Sequence, residues 1–294
     1  MKRLFILATA AIVALASCTK TQVVYTEAPE EISFKQVTNV MTKETALSET
    51  GIVDMGVYAY YTANSLEYFE ATKFEKPAEG NKWAAEEGKE RYWPANESLT
   101  FVAWAPFAAW SYDETDDELT ANVTSLTDIL YGNTKPAGNK EAFSTGVPVQ
   151  MSHAAAQVVI NFTGDAAAKL TSASLNNYYD AGVCTVPYNT LDVEWNVTSA
   201  TKKTNAFSVN SSVPLTTAQT FNMLVVPVES SNTATITFAY TLNGSAASYT
   251  VEAATIGSWN PGSKHTYDVN IGAEEILIVP TVAEFTPETA VDAN

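Results

Sequence analysis

Residues 233–253 read TATITFAYTL-NG-SAASYTVEA. Thr233–Leu242 and Ser248–Ala253 are rich in β-branched and aromatic residues, which suits strands. Asn243-Gly244 between them fits a type I′ turn, because both central residues of that turn need positive φ. The pattern predicts a hairpin, with register and loop length left open. Working outward, the same grammar recurs. Val158–Phe162 and Phe221–Val228 read as strands, the latter closed by Pro227. Trp259-Asn260-Pro261-Gly262 reads as a turn and His265–Ile271 as the strand after it. No amphipathic helix stands out; Asp165–Leu170 has room for one short turn at most.

The amino-terminal half follows suit. Ile32-Ser33-Phe34-Lys35 alternates as a half-buried strand does. Thr42–Thr50 reads as a polar loop. Val53, Met55, Val57 and Ala59 share one face of a strand, with Tyr58 and Tyr60 on the other, so both faces need cover and the strand belongs in the middle of a sheet. Phe74–Lys89 reads as a charged hairpin excursion, and Leu99–Trp104 as a second two-faced strand. Short β runs separated by turn signals predict an all-β chain built of sandwiches.

Composition bounds what such a chain does. The formal net charge is −17, and removing residues 1–17 leaves 14 basic against 33 acidic residues, or −19. That argues against nucleic acid and against a basic membrane-docking patch. Met1–Cys18 opens with Lys2 and Arg3, continues with the apolar run Leu4–Ala16, and ends Leu-Ala-Ser-Cys. This is the pattern of a secretory signal. As a helix the run rises about 20 Å, short of a roughly 30 Å hydrocarbon core. Its end resembles a bacterial lipobox, which implies cleavage between Ser17 and Cys18 and lipid attachment at Cys18; two acyl chains anchor a protein stably. Thr19–Glu30 then reads as a tether. Cys184 is the only later cysteine, so an intrachain disulfide is excluded and a buried small hydrophobe is expected.

Sites of chemistry are scarce. Asp113–Glu118 holds five acids, but without the glycine and spacing of a calcium loop it reads as solvated. His153 and His265 stand apart from any ligand cluster, so no metal site is expected. No Gly-x-Ser-x-Gly or Gly-rich phosphate loop is present, no pair of carboxylates stands out in a motif, and no cofactor is implied. An enzyme is not expected. The six tryptophans (Trp83, Trp93, Trp104, Trp110, Trp195, Trp259) leave a surface glycan-binding lipoprotein as an alternative, although most such rings belong in cores.

Glu275–Phe285 is a long apolar run near the end of the chain. Leu277, Val279, Ala283 and Phe285 lie on one side, Ile276, Ile278 and Val282 on the other. Left open, such a strand invites aggregation, so it must pair with this chain or another, with Pro280 at a bulge or an edge.

Several stretches together resemble the Bacteroidetes fimbrillins. These are the lipobox and tether, Ile32-Ser33-Phe34, Thr42-Lys43, Gly56-Val57-Tyr58-Ala59-Tyr60, and Tyr92-Trp93-Pro94 before Leu99–Pro106. Ser152-His153-Ala154 and Gly262–Tyr267 complete the set. The resemblance covers the whole mature chain. It implies two tandem transthyretin-like β-sandwiches, at 31–147 and 148–272, with 273–294 as a terminal strand segment. It also implies a subunit of a type V pilus on the cell surface, used in adhesion, held to the outer membrane by lipid before assembly, with other pilus subunits as partners and an unknown surface ligand. In that family a protease cuts after a basic residue between the first two strands, the first strand leaves, and a neighbour's terminal strand fills the groove. Mapped here, Ile32–Val37 is the strand removed. Arg91 is the only arginine after the leader, so Lys43, in its polar loop, is the candidate cleavage point. Ile276, Leu277, Ile278, Val279, Val282 and Phe285 form the candidate donor strand. Stalk, anchor and tip all remain open; the chain's length favours a stalk.

Overall fold

The computed structural model describes residues 29–35, 52–77, 82–113, 116–134, 137–228 and 232–284. Ser17, Cys18, Lys43 and Phe285 lie outside the described residues. The main body runs from Glu31 onward.

The strands are β1 (Phe34–Lys35), β2 (Asp54–Tyr61), β3 (Glu67–Glu75), β4 (Lys82–Ala85), β5 (Leu99–Ala105), β6 (Ser111–Asp113), β7 (Glu118–Val123), β8 (Leu130–Asn133), β9 (Gln150–His153) and β10 (Ala156–Gly164). They continue with β11 (Ala168–Tyr178), β12 (Gly182–Pro187), β13 (Glu194–Asn196), β14 (Lys203–Ala206), β15 (Gln219–Val225), β16 (Thr235–Leu242), β17 (Ser245–Val251), β18 (Ser263–Ile271) and β19 (Ile276–Glu284). A 3-10 turn at Phe107–Ala109 and one helical turn at Ala253–Ile256 are the helical elements described. The all-β expectation holds, as two sandwiches.

The first sandwich is centred on a seven-stranded sheet of order β1-β4-β3-β2-β5-β8-β9. As the two-faced sequences require, β2 and β5 are central and paired to each other, and every residue of β5 is buried. One face of the sheet carries Met55, Val57, Phe74, Phe101, Val147 and Met151. The other carries Tyr58, Val102 and Trp104, covered by the four-stranded sheet β13-β12-β7-β6 through Leu119, Cys184 and Val186. Val53 departs from the expected pattern: it precedes the strand and is 57 % exposed.

The second sandwich packs β15-β10-β18-β19 against β14-β11-β16-β17. Its core joins Val158, Ile160 and Phe162 to Leu170, Leu175, Ile236 and Phe238. The hairpin closes as its sequence dictates, with Leu242 opposite Ser245 and positive φ at Asn243 (52°) and Gly244 (80°). Asp165–Leu170 is not helical. A turn bonded Ala168 N–H to Asp165 O (2.9 Å) leads straight into the eleven-residue β11.

The sheets do not divide at residues 147/148. β9 extends the first sandwich's large sheet, and β12 crosses back to pair with β7, with β13 added on its far side. The physical reason lies in the two-faced strands. The Tyr58–Val102–Trp104 face needs a cover, and β6 and β7 alone are too short to provide it.

Candidate functional site: the first and last strands

Ile32 and Phe34 alternate with Ser33 and Lys35, and both apolar side chains are fully buried. The segment lies in a slot with backbone partners on both sides. On one side Phe34 pairs with Trp83 and Lys35 with Lys82, while Ile32 N–H donates to Arg91 O at 2.6 Å. On the other, Val147 N–H donates to Ser33 O (2.8 Å) and Lys35 N–H to Val147 O (2.9 Å). The bridge from Phe34 to Val147 is parallel, so this short strand ties the β4 edge of the sheet to the stretch leading into β9. Gly146, at φ +104°, brings its backbone against Lys35; a Cβ there would meet Lys35 N at 3.2 Å. Below the backbone, the Phe34 ring stands edge-on to Phe74 (4.7 Å, 82°) and to Phe101 (5.3 Å, 87°).

Arg91 borders the slot. Its Nε donates to Thr72 Oγ1 (3.0 Å), and its guanidinium lies 5.3 Å from the centre of the Phe69 ring. Its peptide is therefore fixed in the fold, unlike that of a residue in an open loop.

The last strand, β19, lies at a sheet edge and pairs antiparallel with β18 from Ile271↔Ile276 to Ser263↔Glu284. Ile276 and Ile278 pack on the second sandwich's core. Leu277 (53 %) and Val279 (43 %) face outward opposite the polar Asn270 and Asp268, and Val282 is 62 % exposed. Beside them that face carries a polar ladder: Thr220 Oγ1 donates to Asn161 Oδ1 (2.8 Å), and Asn161 Nδ2 to Asp268 Oδ1 (2.7 Å). Two exposed apolar side chains therefore have polar residues as their direct cross-strand partners. Pro280 lies in this edge strand, opposite Tyr267.

The remaining sequence candidates are structural. His153, ending β9, has its Nδ1 2.8 Å from Asp128 Oδ1, with both side chains buried. His265, in β18, accepts from Asn260 N–H through Nε2 at 3.2 Å, and desolvation holds its pKa below the ordinary 6.5. Among the described residues no group of three His, Cys, Asp or Glu is placed to hold a metal ion. Asp116 and Asp117 are exposed at the β6–β7 turn. Cys184 is fully buried opposite Ala121 and Trp195, and burial pushes its thiol pKa up. Trp83, Trp104, Trp110 and Trp259 are buried. Trp93 packs on Phe101 and Phe143, and Trp195 Nε1 donates to Ala154 O (2.8 Å). None of the six is an exposed indole of the kind a sugar platform needs. Sequence reasoning missed Val147, the second backbone partner of the first strand, because a single isolated parallel bridge leaves no periodicity to read.

A sequence profile described as fimbrillin-like matches residues 38–284. Comparison with curated proteins returns no match. Among solved structures, a provisional cell adhesion protein from Bacteroides uniformis is 18 % identical and superposes with TM-score 0.58 over 87 % of this chain and 99 % of its own. A fimbrial protein from Bacteroides vulgatus is 14 % identical, TM-score 0.58, over 87 % of this chain and 100 % of its own. A provisional cell adhesion protein from Bacteroides ovatus is 12 % identical, TM-score 0.58, over 90 % and 100 %. At these identities the likeness is one of fold.

Proposed function

The chain belongs to the fimbrillin-like family, and on that premise we propose that it is a structural subunit of a cell-surface type V pilus, assembled by protease-triggered strand exchange and used in adhesion. The family is one of pilus subunits, and the chain is not an enzyme. In this reading Cys18 carries the lipid that holds the precursor at the outer membrane. Cleavage after Lys43 frees the first strand, and β19 of a neighbouring subunit takes its place. The pilus role is that of a stalk subunit.

The observation that carries the reading is the contrast between the two terminal strands. Ile32 and Phe34 fill a slot with backbone partners on both sides. Their departure would leave unpaired ladder groups and an apolar groove, the situation that β-augmentation repairs. Leu277 and Val279 have the same i, i+2 spacing as Ile32 and Phe34 and stand half-exposed on a polar face. Burying them in a groove is worth about 1 kcal/mol each, half the value of full burial. A head-to-tail contact of this kind does not close on itself and yields a filament.

Limited trypsin treatment of the chain from Thr19 to Asn294 tests the reading. The expected result is a new amino terminus at Glu44 followed by ladders on an unboiled denaturing gel. The ladders should vanish when residues 276–294 are deleted. A chain that is cut after Lys43 and remains monomeric overturns the proposal.

A further inference from the structure

β17 is a free edge, the last strand of its sheet, and Ser245–Thr250 are all exposed. Native proteins guard such edges with charges or proline, because open N–H and C=O groups template pairing with another chain. Four other free edges follow that rule, with Glu194 in β13, Asp113 in β6, Lys203 in β14, and Pro280 and Glu284 in β19. β17 does not. The outer strands β15 and β9 also lack charge and proline, but their only fully exposed residues are Thr220, Gln150 and Ser152. Thr235 to Val251 contains no charged residue, in a chain of net charge −17. Two copies repel each other over most of their surface, and this edge is where they can meet without like-charge contact.

We propose that the β17 edge pairs with β17 of a second copy, antiparallel about a two-fold axis through Ser248. The register follows from the hairpin. Leu242 and Ser245 close the two-residue turn and exchange the hydrogen bonds of that turn. Alternation then turns the N–H and C=O of Ser245, Ala247 and Tyr249 inward to β16 and those of Ala246, Ser248 and Thr250 outward. Across a dyad at Ser248, Ser248 meets Ser248 and Ala246 meets Thr250, all as hydrogen-bonded pairs. On the same-sheet face that carries Phe238, Tyr249, 41 % exposed, would cover Ala247 of the partner subunit. The small side chains Ser245, Ala246, Ala247 and Ser248 let the strands approach to the roughly 4.8 Å of a ladder. Like most two-fold contacts the interface is isologous and closes on itself, so it does not propagate a filament and is separate from the strand exchange proposed above.

The test uses the uncut chain from Thr19 to Asn294, in which strand exchange plays no part. Cys184 is buried, which leaves an introduced thiol as the accessible one. In the paired register two Ser248 Cα atoms lie about 5.5 Å apart, within disulfide range. Two Thr250 Cα atoms are offset by four residues of rise, about 13 Å along the strands, and cannot be bridged. Under mild oxidation Ser248→Cys is expected to form covalent dimer about tenfold faster than Thr250→Cys, reflecting the raised effective concentration, with both thiols equally reactive to a small alkylating agent. Adding Thr250→Pro, which removes a backbone donor that faces outward and, besides it, the exposed hydroxyl contact with Thr237, should abolish that advantage. Equal dimerisation rates for the two cysteine variants overturn the proposal, as does an advantage that survives Thr250→Pro.

Discussion

Replacing Phe34 with alanine asks whether a two-residue strand carries the energy of a core element. Phe34 has no exposed surface and stands edge-on to both Phe74 and Phe101. Truncating a buried phenylalanine costs about 3–5 kcal/mol, including the cavity left behind. The two ring contacts, each worth about 0.5–1.5 kcal/mol beyond area, place this site toward the upper end. A loss of about 4 kcal/mol lowers the folding equilibrium constant roughly a thousandfold. Lys35, the neighbouring residue of the same strand, is exposed, and Lys35→Ala should change stability by no more than about 0.5 kcal/mol. Urea unfolding followed by tryptophan fluorescence measures both, with Trp83 directly opposite Phe34 as a local reporter. If Phe34→Ala costs less than about 1 kcal/mol, the slot collapses without its strand. The argument that its emptying creates a groove then fails.

Three further outcomes follow from the packing and the buried titratable groups. Gly56→Ala should lower Tm by roughly 10 °C in a thermal melt, because a Cβ would lie 2.0 Å from Trp104 Cε2 in a two-sided core and the strain costs about 3 kcal/mol. His265 is held neutral by burial, its pKa below 6.5. The unfolded chain therefore takes up the proton first, and stability falls as pH drops below about 6.5. His265→Gln should remove that part of the decline, read from urea midpoints at pH 7 and pH 5.5; an unchanged slope removes His265 as a source. Cys184, buried with a raised thiol pKa, should resist a thiol reagent at pH 8 in the folded protein and react at once in denaturant.

How much of this was legible depended on where the relevant partner lay. The Asn243-Gly244 hairpin needs only its own neighbours, and its turn formed as read, although β17 starts at Ser245 rather than Ser248. β2 and β5 were legible because apolar residues on both faces leave no position but the middle of a sheet. β11 escaped notice because its alternation breaks at a register shift between Leu170 and Ser172. β7 and β12 carry their core faces on Leu119, Ala121, Cys184 and Val186, too few and too small to stand out. The return of β12 to β7 is a pairing across distant sequence, which local pattern does not encode. At the site, Ile32 and Phe34 were visible from alternation, and the terminal strand from the length of its apolar run. The slot was not, since it is made by Trp83, Arg91 and Val147 from three separate stretches.

The most direct measurement of the central claim uses a synthetic peptide of residues 276–285 and trypsin-cut protein whose own residues 276–294 have been deleted. Native mass spectrometry should find the first-strand fragment gone and one peptide bound per chain. The same peptide with Leu277→Glu and Val279→Glu should not bind. If the cut chain stays folded, has lost its first strand and takes up neither peptide, β19 is not the strand that fills the slot, and the account of assembly is wrong.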